Sequence, residues 1–120
     1  MNVEDEAVRQ AGLIVDMLKR DNPDAARLPK VTAHYADVSD ASSVEACMAE
    51  MVTIHGHIDN LVTSAGFVEN IDATQYPIDR VRKLWGVNVD GTYLFATAIA
   101  RHLVSPDSGV PMSPTGFGIG

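Results

Sequence analysis

Apolar residues recur along the chain in three helical stretches separated by two short apolar runs. Between positions 5 and 20, Val8, Ala11, Val15 and Leu18 are spaced by three and four with charges between them, the period of one face of an α-helix. Asp21, Asn22 and Pro23 then stop it. The segment Val31-Thr32-Ala33-His34-Tyr35-Ala36 carries β-branched and aromatic residues and ends at a polar cluster of Asp37, Ser39 and Asp40, which predicts a strand running into a helix start. Ser42 and Glu45 have the spacing of a capping box. Val44, Met48, Met51 and Val52 supply the stripe that the next helix should bury, and Gly56 is placed to end it. Residues 58–65, with Leu61 and Val62 adjacent, read as a second strand covered on both faces and closed by Gly66. From Pro77, suited to a first helical turn, to about Val104 the pattern is helical again. There Val81, Leu84 and Trp85, then Leu94, Phe95, Ala98 and Ile99, are expected to face a core, with Gly86 and Gly91 breaking the helix in two.

The order helix, strand, helix, strand, helix defines an α/β chain, and right-handed crossovers make its sheet parallel and doubly wound. Two strands are too few for an independent sheet, which needs about three or more. The expectation is therefore a fragment of a larger domain, with residues 1–104 forming part of the sheet-and-helix layer. Residues 105–120 switch to Pro, Ser and Gly without periodicity and read as an irregular or disordered tail.

Composition narrows the function. With 120 residues, 46% of them hydrophobic and 21% charged, the chain has the balance of one soluble domain. Nine basic against sixteen acidic residues give a net charge of -7, which argues against nucleic acid and anionic membranes as partners. The polar, acidic start and the lack of a long apolar run predict a cytoplasmic protein. Cys47, the single cysteine, sits in a helical apolar pattern and reads as a small buried residue in a reducing setting. His55 and His57 flank Gly56 without the further ligands a metal needs, so they read as turn residues and no metal site is expected. His34 and His102 occur singly.

Three motifs carry the chemistry. Asp37-Val38 follows the first strand, Asp59-Asn60-Leu61-Val62-Thr63-Ser64-Ala65-Gly66 forms the second, and Asn88-Val89-Asp90-Gly91 lies in the long helix. In this order they resemble the short-chain dehydrogenase/reductase family, and residues 2–104 are similar to the stretch from that family's second helix through its fourth. The resemblance implies a partial Rossmann-like fold that binds NAD or NADP. It also implies that Asp37 meets the adenine amine, that Val38 borders the ring, and that Ser64, Ala65 and Gly66 lie where the ribose passes close to backbone. Asn88 matches the asparagine that holds a water in the family's proton relay, through a local break in the helix.

Thr63-Ser64 stands where the common pattern has two asparagines. The runs LVTSAG and YPIDRVRKLWGVNVDGTYLFA narrow the resemblance to fungal polyol and sugar reductases, which implies a keto sugar/polyol pair such as ribulose/arabinitol as small-molecule substrate. In the family the long helices form the dimer interface, which implies a homo-oligomer here.

The family's acid is a tyrosine followed four residues later by lysine, whereas Tyr35, Tyr76 and Tyr93 are followed by Ser39, Arg80 and Thr97. The glycine-rich loop that cradles pyrophosphate is expected before position 5, and Thr115 to Gly120 imitates it without the flanking strand and helix. The sequence thus predicts a truncated oxidoreductase, inactive as this chain alone. Two other readings stand beside it: a non-enzymatic nucleotide-binding or interaction fragment, and an unrelated α/β domain of the receiver type.

Overall fold

The computed structural model describes residues 3–105. The polypeptide divides into two units, one ending at Tyr35 and the other beginning at Ala36.

In the first unit the predicted helix is α1, Val3–Asp21. Glu4, Asp5 and Glu6 in its first turn and Lys19 and Arg20 in its last suit the helix dipole. Glu6 accepts from Arg9 at 2.6 Å and from Gln10 at 2.7 Å, pairs that the three- and four-residue spacing brings together. The helix stops where Asn22 donates both its backbone N-H and its side-chain amide to the Leu18 carbonyl, at 3.0 and 3.1 Å, ahead of Pro23. No residue of α1 is fully buried. Its apolar face, at Val8, Ala11, Gly12 and Val15, lines a cavity of about 370 Å³ with Val31 and Ala33.

The second unit is a helical assembly. Helix α2 spans Ala41–His55, α3 Ile78–Trp85 and α4 Gly91–Val104, with a short 3₁₀ turn at Ala73–Gln75. Helices α2 and α4 pack together through Val44, Met48, Ala98 and Ile99, against which Met51, Ile58, Leu94, Phe95 and Leu103 are half-buried. Cys47 is buried beside this core, and burial followed by Glu50 pushes its thiol pKa up, which makes it a packing residue rather than a nucleophile. Arg101 of α4 reaches Glu45 of α2 in an exposed ion pair.

The parallel sheet is overturned. Among the described residues no strand forms: segments 31–36 and 58–65 take part in no ladder. The reason is pairing. A strand exists only with a neighbour to accept its N-H groups, and neither segment has such a neighbour among the described residues. Val62, expected in a covered strand, is 88% exposed.

Two local expectations are also corrected. The cap of α2 is Asp40, whose carboxylate accepts from the Ser42 backbone N-H at 3.2 Å and the Ser42 hydroxyl at 2.9 Å. Ser42 is thus a donor to the cap, and Glu45 is committed to Arg101, because a shorter Asp carboxylate one turn earlier reaches the orphan N-H groups first. Gly86 and Gly91 divide the long helical stretch into α3 and α4 as expected, with a wide turn between the two. In that turn, Gly86–Asp90, the Gly91 N-H donates to the Gly86 carbonyl five residues back. Trp85 is 62% exposed rather than core. Gly56 ends α2 as expected, with φ 86° and its N-H on the Val52 carbonyl at 2.8 Å. The expected tail lies, from Pro106 onward, outside the described residues.

Candidate functional site

The sequence places an Asp three residues before Asp40, and the two carboxylates take different tasks. Asp40 caps α2, whereas Asp37 folds back on its own turn: its Oδ1 accepts from the Ser39 N-H at 3.0 Å and the Ser39 hydroxyl at 2.6 Å. The Asp37 N-H donates to the Ser43 hydroxyl at 2.9 Å, and the Asp37 carbonyl accepts from the Asp40 N-H at 3.1 Å. These bonds from Ser39, followed by the charge of Lys83, hold the Asp37 carboxyl below the usual carboxylate range, although burial opposes them. The side chain is exposed and ionised at neutral pH.

Both other motifs meet the wide turn. Asn88 donates through Nδ2 to the Phe67 carbonyl at 2.8 Å and accepts at Oδ1 from the Phe67 N-H at 3.0 Å. This two-way amide pair fixes the residue that follows Gly66. A Cβ on Gly66 would lie 3.2 Å from the Asn88 Oδ1, so the glycine permits the approach. Ser64 and Ala65 precede it on the exposed segment.

On the helix's other contact, a Cβ at Gly91 would come within 2.7 Å of the Val38 Cγ2, and one at Gly86 within 3.5 Å of the Ser39 Cβ. Five residues at the α-helical 100° step would set Gly86 and Gly91 about 140° apart around the axis. The wide turn reduces that angle, which lets two glycines receive the adjacent residues Val38 and Ser39. Val38, Ser39 and Gly66 therefore meet the bulged turn of the long helix that carries Asn88.

Beyond Gly66, Glu69 binds Arg80 as an ion pair, with the Arg80 Nε at 3.2 Å, and accepts from the Tyr76 hydroxyl at 3.2 Å. Arg80 is the main cause that holds Glu69 low. Burial and then Glu69 push the Tyr76 phenol up, the wrong direction for a general acid at neutral pH. His57 pairs with Asp59 at 3.1 Å. Among the described residues no group of three or more His, Cys, Asp or Glu is disposed to hold a metal.

Sequence reasoning missed Ser39, Phe67 and the Glu69-Arg80-Tyr76 cluster. The Asp-x-Ser spacing of 37 and 39, which favours a side-chain-closed turn, was a usable signal for the first. The others depend on contacts between distant positions.

Asp37 and Glu69, with Glu6 and Asp72, are lowered carboxylates that set an acid response. Folding lowers the pKa of each, so each adds stability above its ordinary value that is lost as pH falls through the lowered one. Unfolding midpoints are expected to fall as pH drops below about 4. Glu69→Gln should flatten that fall, and a pH-independent parent would refute it.

The family model for enoyl-(acyl carrier protein) reductase matches residues 8–117, and the chain belongs to the short-chain dehydrogenase/reductase family of oxidoreductases. It is 30% identical over 81 residues to sorbitol dehydrogenase of Cereibacter sphaeroides, covering 68% of this chain and 32% of that one. It is 31% identical over 81 residues to D-arabinitol 2-dehydrogenase (ribulose-forming) of Scheffersomyces stipitis, covering 67% and 29%. It is 34% identical over 84 residues to 2-(R)-hydroxypropyl-CoM dehydrogenase of Xanthobacter autotrophicus, covering 68% and 34%. The chain thus spans about a third of the length of these relatives. No solved structure matches it significantly. The family resemblance read from Asp37-Val38, the run ending at Gly66 and Asn88 is borne out. No helix among the described residues is long and apolar enough to cross a membrane.

Proposed function

We propose that this chain carries the adenosine-side part of a nicotinamide-dinucleotide site in an oxidoreductase that interconverts a keto sugar and a polyol, such as ribulose and arabinitol. The observation that carries the reading is that Val38 and Gly66, each beside a further motif residue, meet the bulged turn between Gly86 and Gly91 that carries Asn88. The residues fit an adenine nucleotide. Asp37 offers an ionised carboxylate whose Oδ1 is taken by Ser39, which leaves Oδ2 to accept from the exocyclic amine. Val38 supplies an apolar edge for the ring. Ser64, Ala65 and Gly66 keep the backbone open where the ribose passes. Asn88, through its hold on Phe67, positions that segment and supports a proton relay. When bound, NAD or NADP supplies the hydride chemistry, and the protein contributes orientation and electrostatics.

The names of the sorbitol and arabinitol relatives support the substrate class. Exposed Trp85, Val89 and Tyr93 along the long helix support self-association through that face. The test is turnover of NADH or NADPH with ribulose, xylulose or sorbose by the protein expressed from its intact gene. Activity is expected there, and Asn88→Ala should lower kcat/KM on the order of 10²-fold by misplacing Phe67. The 120-residue polypeptide alone should show none, because no tyrosine in it is followed four residues later by lysine. Turnover by that polypeptide, or no reduced-cofactor binding by either protein, overturns the proposal.

A further inference from the structure

We infer that Ser39 is a positioning residue that sets which oxygen of the Asp37 carboxylate faces an adenine amine. The inference rests on the adenosine-site reading above and adds to it a residue that the motif itself does not mark. Two donors of one residue, the Ser39 N-H at 3.0 Å and its hydroxyl at 2.6 Å, load the same oxygen, Oδ1. A carboxylate bonded in this way is restrained in rotation, and its second oxygen takes no part in the bonds from Ser39. Neither bond serves the helix that follows, since α2 is capped by Asp40, with Ser42 as the donor.

The backbone on either side is fixed as well. Ser43 accepts from the Asp37 N-H, Asp40 donates to the Asp37 carbonyl, and the Ser39 side chain abuts Gly86 of the wide turn. Ser39 thereby couples the orientation of Asp37 to the helix that also holds Phe67 through Asn88. The energetic logic is pre-organisation: a carboxylate held in the accepting geometry loses less freedom when the amine arrives. The two Ser39 bonds are the largest influence on its charge, with burial opposing them and Lys83 of α3 adding to them.

The experiment is calorimetric titration of the full-length protein with AMP, for the parent and for Ser39→Ala, Ser39→Thr and Asp37→Asn. It is combined with an NMR titration of the Asp37 carboxyl and circular dichroism as the check on folding. AMP binding should weaken about tenfold in Ser39→Ala, the scale of one lost charge-assisted hydrogen bond, and return to within about twofold of the parent in Ser39→Thr. The Asp37 carboxyl should titrate at higher pH in Ser39→Ala than in the parent. Asp37→Asn, which keeps an Oδ1 acceptor but replaces the open oxygen with a donor, should lose AMP binding while retaining its helix content. A parent that binds AMP, with Ser39→Ala binding it equally or with Ser39→Thr no better than Ser39→Ala, overturns this inference alone. A parent that does not bind AMP overturns the adenosine-site reading and this inference with it.

Discussion

Ile99→Ala is expected to abolish the cooperative unfolding of the unit that begins at Ala36, seen as loss of most helical circular dichroism under conditions where the parent is folded. Ile99 is 7% exposed and sits with Val44, Met48 and Ala98 at the contact of α2 and α4. Truncating such a residue removes its transfer free energy and leaves a cavity, together about 2–5 kcal/mol. A domain's whole stability is only about 5–15 kcal/mol, and a core this small stands at the low end. The loss is therefore comparable to what is available. Arg101→Ala is the control on the same helix. Its ion pair with Glu45 joins side chains that are 62% and 57% exposed, so its removal should cost at most about 1 kcal/mol. Equal effects from the two substitutions would show that the α2-α4 contact is not the core.

Gly91→Ala should destabilise, and Gly12→Ala should stabilise, although both place alanine inside a helix. Alanine gains about 1 kcal/mol over glycine from helix propensity alone. At Gly12 an added Cβ meets nothing within 4 Å, so that gain is realised. At Gly91 it would stand 2.7 Å from the Val38 Cγ2, 3.0 Å from its Cβ and 3.2 Å from its carbonyl oxygen. Val38 is β-branched and stiff at χ1, so it cannot swing aside as a long flexible side chain would. Overpacking of this kind costs about 1–3 kcal/mol, which offsets the propensity gain and leaves a net loss of up to about 2 kcal/mol. Denaturant midpoints for the two variants should move in opposite directions, and AMP affinity should fall only in Gly91→Ala, since Val38 is displaced. A Gly91→Ala variant more stable than the parent would mean that the close approach of Val38 is not maintained.

The pattern of apolar positions marked all three long helical stretches, because a helix satisfies its backbone within itself and shows its buried face as a local period. The stripe of Val44 and Met48 and that of Ala98 and Ile99 are the buried ones. The same pattern misled at 31–36 and 58–65, where composition favours a strand but the residues that would accept its hydrogen bonds are not among its neighbours. Trp85 was misplaced for a related reason: hydrophobicity tells that a side chain gains by burial, not whether anything covers it.

The candidate site divides in the same way. Asp37, Val38, Gly66 and Asn88 were legible as residues, since the family motifs are short and contiguous. Their meeting point was not, because it depends on the bulge between Gly86 and Gly91, and a helix with one residue more per turn has no distinct sequence period. What the sequence by itself determined is the family and the helices, and it named the candidate residues of the site. Only the tertiary structure decided that Asp40 rather than Ser42 caps α2, that Asn88 spends its amide on Phe67, and that Gly91 is required by Val38. Each of these is a choice among competing partners, settled by which donor or surface lies within reach in three dimensions.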